Sequence, residues 1–380
     1  MPLRLRSLLS SIVLFVVIVA GAYGLVRLKR SELVDFPVPR TAAVRFLAHE
    51  TLYRPDDGHY QYKYLPAFAL VMVPFTWMSK RVGEVTWFAL TVAMAWAFLR
   101  VSVAALPERR RSDWALIWLT LLLTAKFLVK EIALGNFNLP LGLLLVGAVI
   151  AAQHRRGFAA AAAIAAGVLI KPYALVLVPW LIWTLGWRPL VVFALVLAGG
   201  LALPAVSYGW NGNLIELHEW YRTVTQTTGP NLLLPETISF ASMWAKWIQP
   251  GPMASGLAVA SMGAAVAAGV AVMSWRRQVA EPNYLEGAYF FVLVPLLSPQ
   301  GWDYVLLLAL PAYTCLVDRW RDLSVIWRGV ALLGFFLTSF TVFDLLGRTL
   351  YTELMRLAGV SVGAVLIALC LIRLRWRAIA

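Results

Sequence analysis

Asp35 opens the chemistry of this chain. It follows an apolar run and sits in a polar stretch, Ser31 to Lys63, within a sequence that is otherwise strongly apolar. An acid just beyond a first membrane span, at the membrane surface, is where an enzyme with a lipid-linked substrate needs a base. Taken alone, such an Asp also fits a solvated loop. Lys171 adds a second group. It stands at the junction of two apolar runs in GVLIKPYALVLVP, and Pro172 breaks the helix there. A lysine inside a membrane protein is costly unless paired or functional, and its ammonium suits a phosphate oxygen; the alternative is a lysine snorkelling from a span end. Asn136 and Asn138, in the short turn Gly135-Asn136-Phe137-Asn138-Leu139-Pro140, offer donors and acceptors for sugar hydroxyls or phosphate, or else an ordinary turn and helix cap. Trp302-Asp303-Tyr304 follows Ser298-Pro299. Its aromatic faces suit sugar rings and Asp303 suits hydroxyls, whereas plain interface anchoring would use the same aromatics.

The elements that position these groups are membrane helices. The chain has 380 residues, of which 61% are hydrophobic and only 14% charged. Soluble domains are about half apolar and about a quarter charged, so this is an integral membrane protein with many spans, read as a single domain over residues 1–380. The net charge of +14 lies in short basic clusters between apolar runs, as at Arg155-Arg156, Arg276-Arg277, Arg319 to Arg321 and Arg373 to Arg377. That is the positive-inside pattern and argues against nucleic acid as a partner. Cys315 and Cys370 lie in apolar segments, which disfavours a disulfide framework, and His49, His59, His154 and His218 lack metal-ligand spacing. No nucleotide-binding glycine motif, H-E-x-x-H or C-x-x-C occurs, so neither a cofactor nor a metal is expected. Met1 to Val26 has the basic start of a signal peptide, but its apolar core is too long, and an uncleaved first span is expected.

Apolar runs fall near 8–26, 64–79, 84–100, 113–130, 138–152, 158–170, 173–186, 189–206, 253–274, 285–297, 303–316, 324–342 and 354–372. All are taken as helices, since backbone groups in lipid must be satisfied internally. Thirteen crossings would part the two termini, yet both carry Arg clusters, so we expect about 12 spans. The Trp114 to Leu134 region, interrupted by Lys126, Lys130 and Glu131, is the suspected re-entrant segment. Counting back from a cytoplasmic C-terminus puts Asp35, Gly135 to Asn138, Lys171-Pro172, Ser207 to Gly251 and Ser298 to Tyr304 on one outer face. Arg27, Lys29 and Arg30 run against this scheme, and Arg109 to Arg111 is hard to place in it. Two outer segments read as surface helices. In Arg40 to Tyr53, Ala43, Phe46 and Leu47 share a face. In Asn213 to Thr228, Asn213 and Glu216 fit a capping box, and Leu214, Leu217, Tyr221 and Val224 form a stripe.

The order of these motifs resembles that of the polytopic glycosyltransferases of family 87, the alpha-mannosyltransferase-like group of the C-type glycosyltransferase fold. The likeness runs from Asp35-Phe36, through Leu52-Tyr53 and Tyr64-Leu65-Pro66, to Gly135-Asn136-Phe137-Asn138 with Gly167 to Pro172, and ends at Ser298-Pro299-Gln300-Gly301-Trp302-Asp303. The chain departs from the family pattern in three places: Asp303-Tyr304-Val305 stands where His is common, Asn136 where Gln is usual, and Lys171 directly adjoins Pro172. The resemblance implies a transferase of the bacterial plasma membrane whose site faces the periplasm or exterior. The donor would be a polyprenyl-phosphate-linked sugar, with mannose the sugar the resemblance implies, and the acceptor a lipid or glycan hydroxyl. Asp35 would be the general base of an inverting transfer. Lys171, with Arg45 or Arg222, would hold the donor phosphate. Asn136, Asn138, Tyr64, Trp302, Asp303 and Tyr304 would contact substrate. The rival readings are a flippase or transporter of lipid-linked glycans and a structural subunit of an envelope-glycan complex; convergence of Asp35, Lys171 and Asn138 on one cavity favours the transferase.

Overall fold

The computed structural model describes residues 3–26, 33–275 and 283–377. Arg27, Lys29, Arg30, Arg276 and Arg277, whose charges bear on the expected topology, lie outside the described residues. The described chain is helical throughout, apart from turns and one isolated antiparallel bridge between Thr237 and Trp302. Among the described residues, three helices are long and apolar enough to cross a membrane: Lys80–Ala104, Pro252–Trp275 and Gly359–Arg377. Two bent pairs, each taken as one span, bring the number to five, and shorter apolar helices such as Asn138–Gln153, Gly157–Ile170 and Asn283–Leu297 occupy other expected spans. A count near 12 would rest on those shorter pieces.

The suspected re-entrant region is one unbroken helix, Asp113–Leu134. It holds together because its charges find buried partners elsewhere in the fold rather than breaking the backbone ladder. Leu3–Leu25, Lys80–Ala104, Leu310–Asp318 and Val325–Ser339 pack around it, and Leu116, Leu121, Phe127, Leu128 and Ile132 fill the main core between them. Ser112 starts the helix by accepting from the Ala115 N–H. Gly135 ends it at φ 70°, a left-handed position that glycine takes without penalty.

The two ends of this helix differ. At its start, the Arg110 and Arg111 N–H groups donate to Asp318 at 2.9 and 3.0 Å, and the Arg110 guanidinium pairs with Asp322. The Arg109 to Arg111 cluster therefore lies beside Arg319 to Arg321. At its other end, about 33 Å away for 22 residues at 1.5 Å each, sit Gly135 and the polar features singled out above.

Both expected surface helices form, with altered detail. Pro37–Leu47 begins with proline in its first turn and buries Pro39, Ala42, Ala43 and Phe46, whereas Leu47 is exposed. Ala205–Asn231 starts well before Asn213 and turns at Gly209, where φ is 67°. The capping box is therefore absent. Asn213 instead donates to the Leu201 carbonyl at 2.9 Å, and Glu216 accepts from the Leu52 N–H at 3.0 Å. Those two polar residues form the buried face, while Leu214 and Tyr221 of the expected stripe are exposed. The helix leaves Leu190–Ala202 at 94°, as Phe343–Arg356 leaves Val325–Ser339 at 100°.

Candidate active site

The site is assembled by two breaks in helical structure. The first is the Gly135 turn. Its left-handed backbone redirects the chain so that Asn136 and Asn138 follow directly on the end of the long helix, and the Trp87 indole locks the turn by donating to the Gly135 carbonyl at 2.9 Å. Glu131, one turn earlier and fully buried, accepts from the Asn138 N–H and Nδ2 at 2.7 Å each and from the Leu139 N–H at 3.2 Å. It thus caps Asn138–Gln153 and fixes the Asn138 side chain, leaving Oδ1 free to point elsewhere.

The second break is Lys171-Pro172. A residue before proline is driven to extended backbone, and Lys171 takes φ −144°, ψ 117° between Gly157–Ile170 and the 3-10 turn Pro172–Leu177. Its Nζ donates to Asn136 Oδ1 at 2.8 Å and Asn138 Oδ1 at 2.7 Å, and lies 5.7 Å from the ring centres of both Tyr64 and Tyr173. Among the described residues, no carboxylate pairs with it as a salt bridge. Neutral acceptors and ring faces hold the ammonium, with Glu131 behind them, so its charge stays available to an arriving anion.

Asp35 completes this end. Its N–H donates to the Leu134 carbonyl at 2.8 Å, and its carboxylate accepts from Asn136 Nδ2 at 2.6 Å. Asn136 therefore joins the acid and the lysine through opposite ends of one amide. Asp35, Lys63, Tyr64, Asn136, Lys171 and Tyr173 line a cavity of about 1070 Å³. Asn138 lies beneath that surface rather than in it. Burial lowers the pKa of Lys63, and the nearby Asp35 works against that shift.

The opposite wall comes from the segment after Asn283–Leu297. Gly301 passes so close to the Pro295 carbonyl that any Cβ would collide with it. The Gly301 carbonyl accepts from the Ile238 N–H at 2.7 Å, and the Asp303 N–H donates to the Glu236 carbonyl at 2.8 Å. Trp302 and Tyr304 then face the cavity with nearly parallel rings, 12° apart and 6.5 Å between centres. The Tyr304 hydroxyl lies 3.3 Å from Asn136 Nδ2, which links the two walls.

Asp303 borders the cavity between these two rings. Its carboxylate is buried, and Lys130 Nζ donates to its two oxygens at 2.9 and 2.8 Å while Lys126 Nζ lies 3.3 Å away. The reachable group is Lys130. Arg45 and Arg222 do not line the cavity. Arg45 is clamped by Asp57 at 2.5 and 2.7 Å, which raises its pKa, and Arg222 is exposed beside Glu219. Lys63, Lys130, Tyr173 and Glu236 line the cavity without having been singled out as site residues. For Lys130 the signal was present, as a lysine within an apolar helix. Among the described residues, no three His, Cys, Asp or Glu side chains come together as a metal site.

Comparison with known families matches residues 62–299 to glycosyltransferase family 87. The matched stretch contains Lys63, Tyr64, Lys130, Asn136 and Lys171, with Asp35 before it and Trp302 to Tyr304 just after. Comparison with curated proteins gives no match.

Proposed function

The chain belongs to glycosyltransferase family 87, and on that premise we propose that this membrane glycosyltransferase moves a sugar, mannose in the first instance, from a polyprenyl-phosphate donor to a hydroxyl of a lipid or glycan acceptor. Its fold in this reading is that of the C-type glycosyltransferases. The donor phosphate sits at Lys171 and the sugar extends toward Asn136, Trp302 and Tyr304. Asp35 takes the acceptor proton as the acceptor oxygen attacks the anomeric carbon. The bond from that carbon to the phosphate oxygen breaks, the electron pair leaves with polyprenyl phosphate, and the configuration inverts. Lys171 stabilises the charge that develops on the departing phosphate.

The observation that carries this reading is the pairing of acid and cation through Asn136 on one cavity wall. A flippase has no need of a carboxylate held beside a phosphate-binding lysine. The placement of that wall supports an outer-face site in the bacterial plasma membrane. It lies at the far end of Asp113–Leu134 from the clustered arginines of 109–111 and 319–321, which the charge rule puts in the cytoplasm.

The test is sugar transfer by purified protein reconstituted in lipid vesicles, with polyprenyl-phosphate-mannose and a lipid and glycan extract as acceptor. Transfer from the lipid-linked donor, with none from a nucleotide sugar, is the expected result. Transfer from the nucleotide sugar alone would overturn the donor assignment.

A further inference from the structure

We propose that the cavity holds a second anion subsite, centred on Lys130 and separate from the Lys171 end, which takes a phosphate group carried by the acceptor lipid. This deepens the transferase reading and rests on it for the identity of the cavity.

Lys126 and Lys130, one helical turn apart, share a single buried carboxylate, Asp303. The other charged groups facing this cluster come from the segment that packs against it. They are Glu236, which lines the cavity, and Lys246, which donates to the Pro235 and Thr237 carbonyls at 2.9 and 2.8 Å. Among the described residues, three lysines thus meet two carboxylates, and the cluster keeps a surplus positive charge. A surplus charge held away from water is costly unless a counter-charge arrives.

Geometry puts that surplus in the cavity. Lys126 is nearly enclosed and also donates to the Thr338 carbonyl, whereas the Lys130 side chain keeps 34% exposure and lines the cavity. An ammonium has three N–H donors. Asp303 engages Lys130 from one side, which leaves donor capacity toward the open side. Asp303 borders the cavity, but its carboxylate is buried and both its oxygens are taken by Lys130, so it positions that lysine.

This end differs from the Lys171 end. Lys171 is set among Asn136, Asn138, Tyr64 and Tyr173, with Asp35 and Glu131 near it. The two lysines have different partners: Lys171 is held by Asn136 and Asn138, and Lys130 by Asp303, whose neighbour Tyr304 lies 3.3 Å from Asn136 Nδ2. One monophosphate donor needs one such site. A second cationic site in the same cavity fits the other substrate, and a phosphate in its headgroup supplies the missing negative charge.

Binding to the purified full chain in detergent tests this without turnover. The protein is first saturated with farnesyl phosphate, a soluble stand-in for the leaving group, and then titrated calorimetrically with dihexanoyl phosphatidate, inorganic phosphate or uncharged dihexanoylglycerol. Wild type is expected to bind phosphatidate under these conditions, and Lys130→Met to bind it at least about tenfold more weakly. Binding of phosphatidate abolished by farnesyl phosphate would mean one shared anion site and would overturn the proposal, as would unaltered affinity in Lys130→Met. Inorganic phosphate is expected to bind more weakly than phosphatidate; equal binding would place a free phosphate there and overturn the assignment to acceptor. If Lys130→Met does not fold, Lys130→Met with Asp303→Asn removes the acid together with its partner and should show the same loss. Intact binding at both sites with no sugar transfer would instead count against the transferase reading.

Discussion

The Asn136 amide nitrogen donates to the Asp35 carboxylate at 2.6 Å. The same amide's oxygen receives Lys171 at 2.8 Å and the Phe137 N–H at 2.6 Å. This fixes which way the amide points: reversing it would turn an acceptor toward Asp35 and donors toward Lys171. Asn136 thereby sets the distance between the proposed base and the proposed phosphate site. Asn136→Ala is expected to lower kcat for sugar transfer about tenfold to a hundredfold, because both groups lose a charge-assisted hydrogen bond of about 1.5–3 kcal/mol. Asn136→Asp, which puts a second acid against Asp35, should be worse. Steady-state kinetics of reconstituted protein checks the order.

Lys171→Met removes the ammonium and leaves the Asn136 and Asn138 oxygens with one partner fewer. Donor KM should rise and kcat/KM should fall by more than KM alone accounts for, since the phosphate gains charge in the transition state. Lys171→Arg should not restore activity. A planar guanidinium does not reproduce a compact ammonium held between two amides and two tyrosine rings. Donor titration under initial-rate conditions separates the parameters.

Gly135→Ala asks for a side chain at φ 70°, which costs about 1–2 kcal/mol for the backbone alone. The new Cβ would also lie 3.0 Å from Leu33 and 3.3 Å from Phe36. The variant should melt at lower temperature in detergent and lose activity beyond its loss of stability, because the turn carries Asn136 and adjoins the Leu134 carbonyl that holds Asp35. Normal activity in a destabilised protein would separate the turn from the site.

Burial holds Lys246 at about 8, against an ordinary 10.5, with Glu236 and Asp303 pulling the other way. The charged form is thus disfavoured by folding. That penalty is complete below pH 8 and fades between pH 8 and 10.5, where the folded protein releases the proton before the unfolded chain does, so stability from this group rises with pH across that window. The melting temperature of wild type minus that of Lys246→Met should therefore rise from pH 8 to pH 10. A flat difference would place the Lys246 ammonium in water.

Several of these features were legible in the sequence. Asp35, Asn136 and Lys171 stand out because each interrupts or flanks an apolar run where a polar group is expensive, and Pro172 marks its break directly. The arginines were not legible, because each is taken by an acid outside the cavity that the sequence pattern does not single out. Arg45 finds Asp57 twelve residues on and Arg222 finds Glu219 three residues back, so neither turns to the cavity. The apparent capping box failed for a related reason. Asn213 and Glu216 sit at cap spacing, but Gly209 had already set the helix direction, and both side chains serve distant backbone groups. The Asp113–Leu134 helix hid the most. Its lysines read as interruptions because the carboxylate that neutralises them, Asp303, is 173 residues from Lys130. Local pattern reports cost and not the partner that offsets it.

The central claim is that Asp35 removes the acceptor proton. The most direct measurement is single-turnover transfer from polyprenyl-phosphate-mannose by wild type and Asp35→Asn, with donor affinity measured in parallel. Asparagine keeps the size of the side chain and removes the base. A fall in the rate of about a hundredfold or more, in the range general-base catalysis supplies, with donor affinity unchanged within about threefold, is the predicted result. A rate within about tenfold of wild type would remove Asp35 from the chemistry and contradict the account.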